Sequence, residues 1–468
     1  MKKNYIAIGL MCTLVAALGL GLYFLREEVA QPELGGPAPV TYLFRYTRPP
    51  LSVRLEGPGQ EPYTLARLGY DPERNLVTDA TIPEMEGLPL DDARVNAVIS
   101  ASRSLTYLEL VGDDINDLNP FGLAEPRGRA SLDFEELGVR TILIGGVAPG
   151  NVGVYIQLEG DTAVYLTPIH GMDNFLLSPL DYLDMNVTPL MSWPPNFDSM
   201  ALSGQVREHA GEILILAAGE GEYRLTAPLE HELSPIYAPG VIHSGFGIVA
   251  AGVAMTHPAT EDLEMLGLYP AWSTLTVEGG ERGGFTLHSS QPDEGSVVFL
   301  HREGVPVVYM ASGHDMPWLD IQFYQLMNPF VPAPILEELA RLQVTVLEPE
   351  GGSIYHFRSG ALEAEGFREF YTELISTVLE FPRQPAGPGE RVIIVNFTPR
   401  GGEASSVYFF TSEVPLRHYV RVDDGPVFLT PSLHIEQVLA QADELADEVL
   451  TFVGRPDLWI IDQLDTMN

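Results

Sequence analysis

Short runs in which apolar and polar residues alternate recur along this chain. "SVRLEG" and "PYTLARL", beginning at Ser52 and Pro62, alternate with period two on either side of a Gly/Pro turn. That pattern predicts a strand pair. In "DDARVNAVISASRSLTYLEL", from Asp91, the residues Val95, Val98, Ile99 and Leu105 are spaced like one face of a helix, with Asp91 or Asp92 placed to cap its start. "RASLDF", "RTILIG", "GVYIQLE" and "AVYLT" follow and predict a sheet of mostly antiparallel strands. "MDNFLLSPLDYLDM", from Met172, predicts a closing helix.

The pattern repeats. "DLNPFGL", residues 117–123, returns as "DLEMLGL", residues 262–268. Gly122 and Gly267 suit a left-handed residue just past a helical turn. Leu118 with Leu123, and Leu263 with Leu268, have the spacing of the apolar contact that accompanies such a helix stop. Farther on, Tyr155 matches Phe299, Glu159 and Gly160 match Glu303 and Gly304, and Tyr165 matches Tyr309. "YVRVDDGPVFLTP", from Tyr419, is a looser copy of "YIQLEGDTAVYLTP", from Tyr155. The expected organisation is an N-terminal transmembrane helix over 1–28 and a Pro/Gly tether over 29–50. Three α+β modules then follow, over 51–197, 198–340 and a divergent 341–468. Each module is mostly antiparallel sheet with packed helices. A repeat this long indicates repeated domains rather than a solenoid.

Composition supports the division. A chain of 468 residues is long enough for about three domains. Tyr5 to Leu25 carries no charge, and as a helix it spans about 30 Å, the thickness of a bilayer's hydrocarbon core. Lys2 and Lys3 precede it, which keeps the short N-terminus in the cytoplasm and sends the bulk outside as a single-pass protein. The rival reading is a cleaved signal peptide, whose apolar region is shorter, about 7–15 residues. The net charge is −38, which argues against nucleic acid and anionic lipid as partners. Cys12 is the one cysteine, so no internal disulfide and no cysteine-based metal site is possible.

Charge composition also limits the chemistry. Lysine occurs only at positions 2 and 3, which excludes a P-loop, a lysine Schiff base and a Ser-Lys dyad in the body. "HSGFGIVAAG", from His243, lacks dinucleotide-binding spacing and reads as small residues packing a helix on a sheet. His170 and His314 occupy matching positions after a Val-Tyr strand, and His434 lies one step off. Each belongs to a separate module, so the reading favoured is a turn histidine repeated with its module, with no metal and no cofactor. Asp113, Asp114 and Asp117 fail the alternation that a calcium loop needs, and Asp114 reads as a helix cap. Asp181, Asp184 and Asp320 read as solvated acidic positions. "MSWPPNF" places Trp193, Pro194 and Phe197 at a module junction, where they form a partner surface if exposed and glue if buried.

"DLNPFGLAEPRGRASL" with "TILIGGVAPGNVGVYIQLEGDTAVYL" resembles the domain-of-unknown-function family 4340. The family's phrases fall here on Gly122, Leu123 and Pro126, on Leu143 to Gly145, on Tyr155, and on Val164 to Leu166. Module two has Ala271 near the expected proline, and module three lacks the Gly-Leu phrase. The resemblance implies a bacterial, membrane-anchored, extracytoplasmic protein, of a kind often encoded beside gliding-motility-type ABC exporters. It implies no catalytic residues. The expected function is therefore a non-enzymatic, membrane-tethered scaffold or binding subunit serving ABC permease subunits. The alternatives are an envelope-polymer hydrolase with a carboxylate pair in an inter-module cleft, and an extracytoplasmic ligand receptor.

Overall fold

The computed structural model describes residues 41–468 apart from 220, 281–282, 348–351, 359–364, 382–388, 453–461 and 465–468. The anchor expected over Tyr5–Leu25 lies outside the described residues. Among those described, no helix is long and apolar enough to cross a membrane. The chain divides into two compact units, Met1–Asp184 and Met185–Asn468.

The first unit is built on one antiparallel sheet. Its chain order is β1 (Thr41–Arg45), β2 (Ser52–Glu56), β3 (Tyr63–Asp71), β4 (Leu76–Thr81), helix α1 (Asp92–Ala101), β5 (Ser104–Tyr107), β6 (Glu109–Gly112), β7 (Gly128–Phe134), β8 (Gly138–Val147), β9 (Val154–Leu158) and β10 (Val164–Thr167). Eight strands lie in the order β4-β3-β2-β7-β8-β9-β10-β6, while β1 pairs separately with β5. Alternation puts Val53, Leu55, Leu65, Leu132, Ile142, Ile144 and Ile156 in the core, joined by Val95, Val98 and Ile99 of α1. Each such side chain contributes about 1.5–3 kcal/mol by leaving water.

Three local expectations change here. The tether read over 29–50 ends in a strand, because Thr41–Arg45 pairs with Ser104–Tyr107. Tyr46 beyond it packs on Phe134 with ring centroids 4.5 Å apart. The helix from Asp91 stops at Ala101, where the Ser102 hydroxyl donates to Val98 O, and Leu105 is a strand residue. Asp91 provides its cap, accepting from Arg94 N at 3.0 Å. The closing helix is replaced by a short helix, Ile169–Asp173, and a 3-10 turn, Pro179–Tyr182. Pro179 has no N–H to give, and Asp181 instead accepts from both Ser178 N and Ser178 Oγ.

The second unit carries two sheets. The first contains β11 (Ser199–Ser203), β12 (Ile213–Gly219), β13 (Glu222–Ala227), β14 (His231–Glu232), helix α2 (Ala238–Ser244), β15 (Gly252–Thr256), helix α3 (Thr260–Met265), β16 (Ser273–Glu278), β17 (Phe285–Ser289), β18 (Val297–Arg302) and β19 (Val307–Ser312). Its order is β14-β13-β12-β11-β16-β17-β18-β19-β15. Apart from the added β14, this is the first unit's order over again. The second sheet contains β20 (Leu339–Val346), β21 (Gly352–Arg358), helix α4 (Glu365–Ile375), β22 (Arg391–Pro399), β23 (Ser405–Phe410), β24 (Arg417–Val422), β25 (Val427–Pro431), helix α5 (Ser432–Phe452) and β26 (Asp462–Leu464). Its order, β25-β24-β23-β22-β20-β21-β26, keeps the same central arrangement. In all three sheets a hairpin precedes a helix, and the chain then returns to the hairpin's first strand and meanders outward. Tandem sheet modules therefore describe the described chain.

One boundary shifts. Residues 185–197 belong to the second unit, because Met185 O accepts from Ala250 N, and Val187 N donates to Ile248 O. The second and third sheets are joined by backbone bonds. Asn328 N donates to Glu232 O, Leu379 N donates to Pro329 O, and Glu380 and Leu429 exchange both backbone bonds. Backbone pairing thus runs from edge strand β14 through two extended segments to edge strand β25. Phe323, Phe381, Phe428 and His231 follow the same seam in a chain of edge-to-face ring contacts. Both edge strands are covered in this way.

Candidate functional site

The Gly-Leu phrases are helix stops. Gly122 has φ 64°, its N–H donates to Asn119 O, and Leu123 N donates to Leu118 O. Gly267 has φ 70°, its N–H donates to Glu264 O, and Leu268 N donates to Leu263 O. These are the paired bonds of a Schellman ending. Leu123 and Leu268 are buried. The two stops differ in how they begin. Asp117 Oδ1, rather than Asp114, accepts from Asn119 N, whereas Asp262 accepts from Ala259 N. The phrase is thus a structural device, ending a helical turn in both modules.

The MSWPPNF segment and its flanks are held on the second unit by hydrogen bonds. Gly247 N donates to Pro189 O, and Ile248 N donates to Thr188 Oγ1. Pro195 is buried, and its carbonyl accepts from the Tyr223 hydroxyl at 2.6 Å. Burial raises the pKa of that hydroxyl, so it stays a donor at neutral pH. Phe197 is only 2% exposed and stacks on Tyr223 at 5.0 Å and 9°. It cannot face a partner; alternation along the segment turns it into the core. Trp193 and Pro194 stay outside. Trp193 is 50% exposed, edge-on to His243 at the end of α2. Leu190 is 71% exposed and lies over Gly247. Val249 is exposed two residues farther on, and Ile236 and Tyr237 are exposed where α2 begins. These apolar side chains flank a helix about 10 Å long. Gly245 lets that helix approach the sheet, where an added Cβ would meet Leu275 at 3.0 Å. That is the role of the small residues in HSGFGIVAAG.

The repeated histidines do not share a setting. His170 is fully exposed, 3.9 Å from Asp173. His314 is an exposed turn residue whose N–H donates to Ser312 Oγ. His434 lies 3.2 Å from Glu373 and 3.1 Å from Thr377 Oγ1. Among the described residues no group of three or more His, Cys, Asp or Glu side chains is arranged to hold a metal ion.

Two arrangements escaped sequence reasoning. Thr274 Oγ1 lies 3.2 Å from His288 Nδ1, and His288 Nε2 lies 3.0 Å from Glu303 Oε1. The order resembles nucleophile, base and orienter. Thr274, however, sits mid-ladder between Ser203 and His288, so its backbone amide is placed for strand pairing rather than for an oxyanion. The trio is a cross-strand row. His301 stacks on His288 at 6.4 Å, and burial followed by the neighbouring His288 lowers its pKa.

The other arrangement is Arg207, 2% exposed. It donates to Ile321 O, Ser203 O, Ser273 Oγ and Trp318 O. Burial lowers its pKa to about 10, and Asp320 opposes that shift. No local signal in "SGQVRE" marks this arginine, because three of its four partners come from distant segments.

In the first unit, Tyr63 and Tyr182 meet edge to face at 6.0 Å, and their hydroxyls donate to Leu177 O and Asn174 O. Burial raises both pKa values, that of Tyr182 to about 12. A raised folded-state pKa means stability that is whole below the ordinary pKa of 10.0 and is lost as pH climbs through 12. Thermal unfolding of this unit is expected to fall to lower temperature between pH 10 and 12. Tyr182→Phe should flatten that slope, with tyrosinate absorbance as the readout. An unchanged slope in the variant would remove Tyr182 from the account.

Residues 81–231 match the model of a family described as Domain of unknown function (DUF4340). No curated protein and no solved structure matches the chain.

Proposed function

From the match of residues 81–231 to the DUF4340 family model, we propose that the chain is a membrane-tethered extracytoplasmic scaffold or binding subunit, an accessory of an ABC-type exporter. The observation that carries this reading is the apolar surface around α2, where Trp193 and Leu190 stand exposed on a segment fixed from beneath by Phe197 and Pro195. An exposed tryptophan on a rigid backbone loses little freedom on binding and is a favoured anchor at protein contacts. The uncharged run Tyr5–Leu25 supplies the tether, and the net charge of −38 keeps the body off an anionic bilayer surface.

The test is co-purification of the intact protein in mild detergent, with mass spectrometry of what accompanies it. Recovery of an ABC permease subunit is expected. Trp193→Ala should reduce that recovery at least tenfold while shifting unfolding free energy by no more than about 0.5 kcal/mol. Recovery of the bait alone, from membranes shown to contain the permease, would count against the proposal. Undiminished recovery with the variant would move the contact elsewhere.

A further inference from the structure

The third sheet carries an arginine–aromatic ladder on the face turned away from its helices. Ile393, Val395, Phe397, Val407 and Phe409 form the buried face, where Tyr371 of α4 lies 6.2 Å from Phe397. Alternation sends Tyr408 to the other face, and Phe410 follows it two residues along β23. Arg421 on β24 stands directly across from Tyr408, and Arg391 on β22 directly across from Phe410. Both guanidinium groups lie over the Tyr408 ring, at 4.4 Å for Arg391 and 5.5 Å for Arg421. Both also reach Phe410, at 5.9 and 5.6 Å.

Two positive charges therefore lie no more than about 10 Å apart, near one Debye length at physiological salt. The chain has 64 acidic side chains against 26 basic ones, yet neither arginine is in an ion pair or donates a side-chain hydrogen bond among the described residues. Arg421 Nε is shut off from solvent without an acceptor. The aromatic rings hold the two groups in place and leave their outer N–H donors unused.

We propose that Arg391, Tyr408, Phe410 and Arg421 form a binding site for a tetrahedral oxyanion of the phosphate class. A planar carboxylate matches the fork of one arginine, whereas a tetrahedral group offers oxygens to two donors on different strands. The anion relieves the repulsion between the guanidinium groups. Tyr408 sets their spacing, and the site is independent of the exporter reading.

The probe is inorganic phosphate, titrated into the detergent-solubilised full chain carrying nitrogen-15 arginine, with the arginine Nε–H resonances followed by NMR. Acetate and chloride at equal ionic strength are the controls. Saturable shifts of Arg391 and Arg421 are expected with phosphate and not with the controls. In Arg391→Gln, whose exposed position leaves the fold intact, binding should weaken at least about tenfold, the loss of one charge-assisted hydrogen bond. Arg421→Gln should do the same, with near-ultraviolet circular dichroism confirming its fold. Equal saturation by acetate would overturn the tetrahedral preference. Shifts that follow ionic strength alone, or phosphate binding unchanged in Arg391→Gln, would leave the ladder as a brace for the sheet and overturn the proposal.

Discussion

Arg207→Ala is expected to destabilise the second unit by roughly 3–5 kcal/mol, because several buried acceptors lose their charged donor at once. The arginine's four acceptors come from β11, from β16 and from the turn holding Trp318 and Ile321. Alanine removes the guanidinium donor from Ser203 O, Ile321 O and Ser273 Oγ, and leaves Trp318 O with only the Ser273 hydroxyl at 3.5 Å. Each orphan costs about 1–3 kcal/mol, partly offset where the cavity admits water. The guanidinium is itself held away from water, yet with a pKa near 10 it remains charged at neutral pH. Arg207→Lys keeps the charge but offers a point donor instead of a planar fork, so an intermediate loss is expected. Trp318, fully buried beside the site, is a natural fluorescent reporter of urea unfolding. A midpoint for Arg207→Ala indistinguishable from that of the parent would show that the four bonds do not hold the turn to the sheet.

Gly145→Ala should be the most damaging small change in the first unit. A Cβ there would overlap the Phe121 carbonyl oxygen and lie 2.8 Å from Leu123 Cγ. Backbone cannot yield as a flexible side chain does, so overpacking of roughly 1–3 kcal/mol follows. Gly122→Ala meets Gly146 N at 2.9 Å and also forces a left-handed residue, so its cost is of the same order. Gly267→Ala is the control. It has the same positive φ, but its nearest neighbour, Ser290 Cβ, is 3.9 Å away. Only the left-handed penalty remains, about 1 kcal/mol. Chemical denaturation read by hydrogen exchange in each unit should rank Gly122 and Gly145 well above Gly267. Equal costs at Gly122 and Gly267 would mean that the stop's contact with β8 contributes nothing.

The comparison explains two phrases of the first module together. The Gly-Leu turn and the glycine ending "RTILIG" touch each other, so each constrains the other. In the second module the corresponding place is filled by Ser290, and the turn stands slightly farther off. That difference lies in through-space distance and cannot be read from the similarity of "DLNPFGL" and "DLEMLGL".

Strand alternation in "SVRLEG", the Asp91 cap and the left-handed glycines were legible because each depends on residues within a few positions of one another. The closing helix was misread because apolar spacing outweighed Pro179, and the tether was misread because its end pairs with a strand more than fifty residues away. Phe197 and Trp193 share one short segment, and only packing decided that one is core and the other surface.

The sequence by itself determined the periodicity, the α+β class and the repetition, since these follow from short-range sterics and from which side chains avoid water. Tertiary structure alone decided that β14 and β25 are sewn into one seam, that Arg207 reaches three distant acceptors, and that Arg391 and Arg421 converge on Tyr408. Those depend on strand register and on contacts between distant segments, and a linear pattern of polar and apolar residues leaves both open.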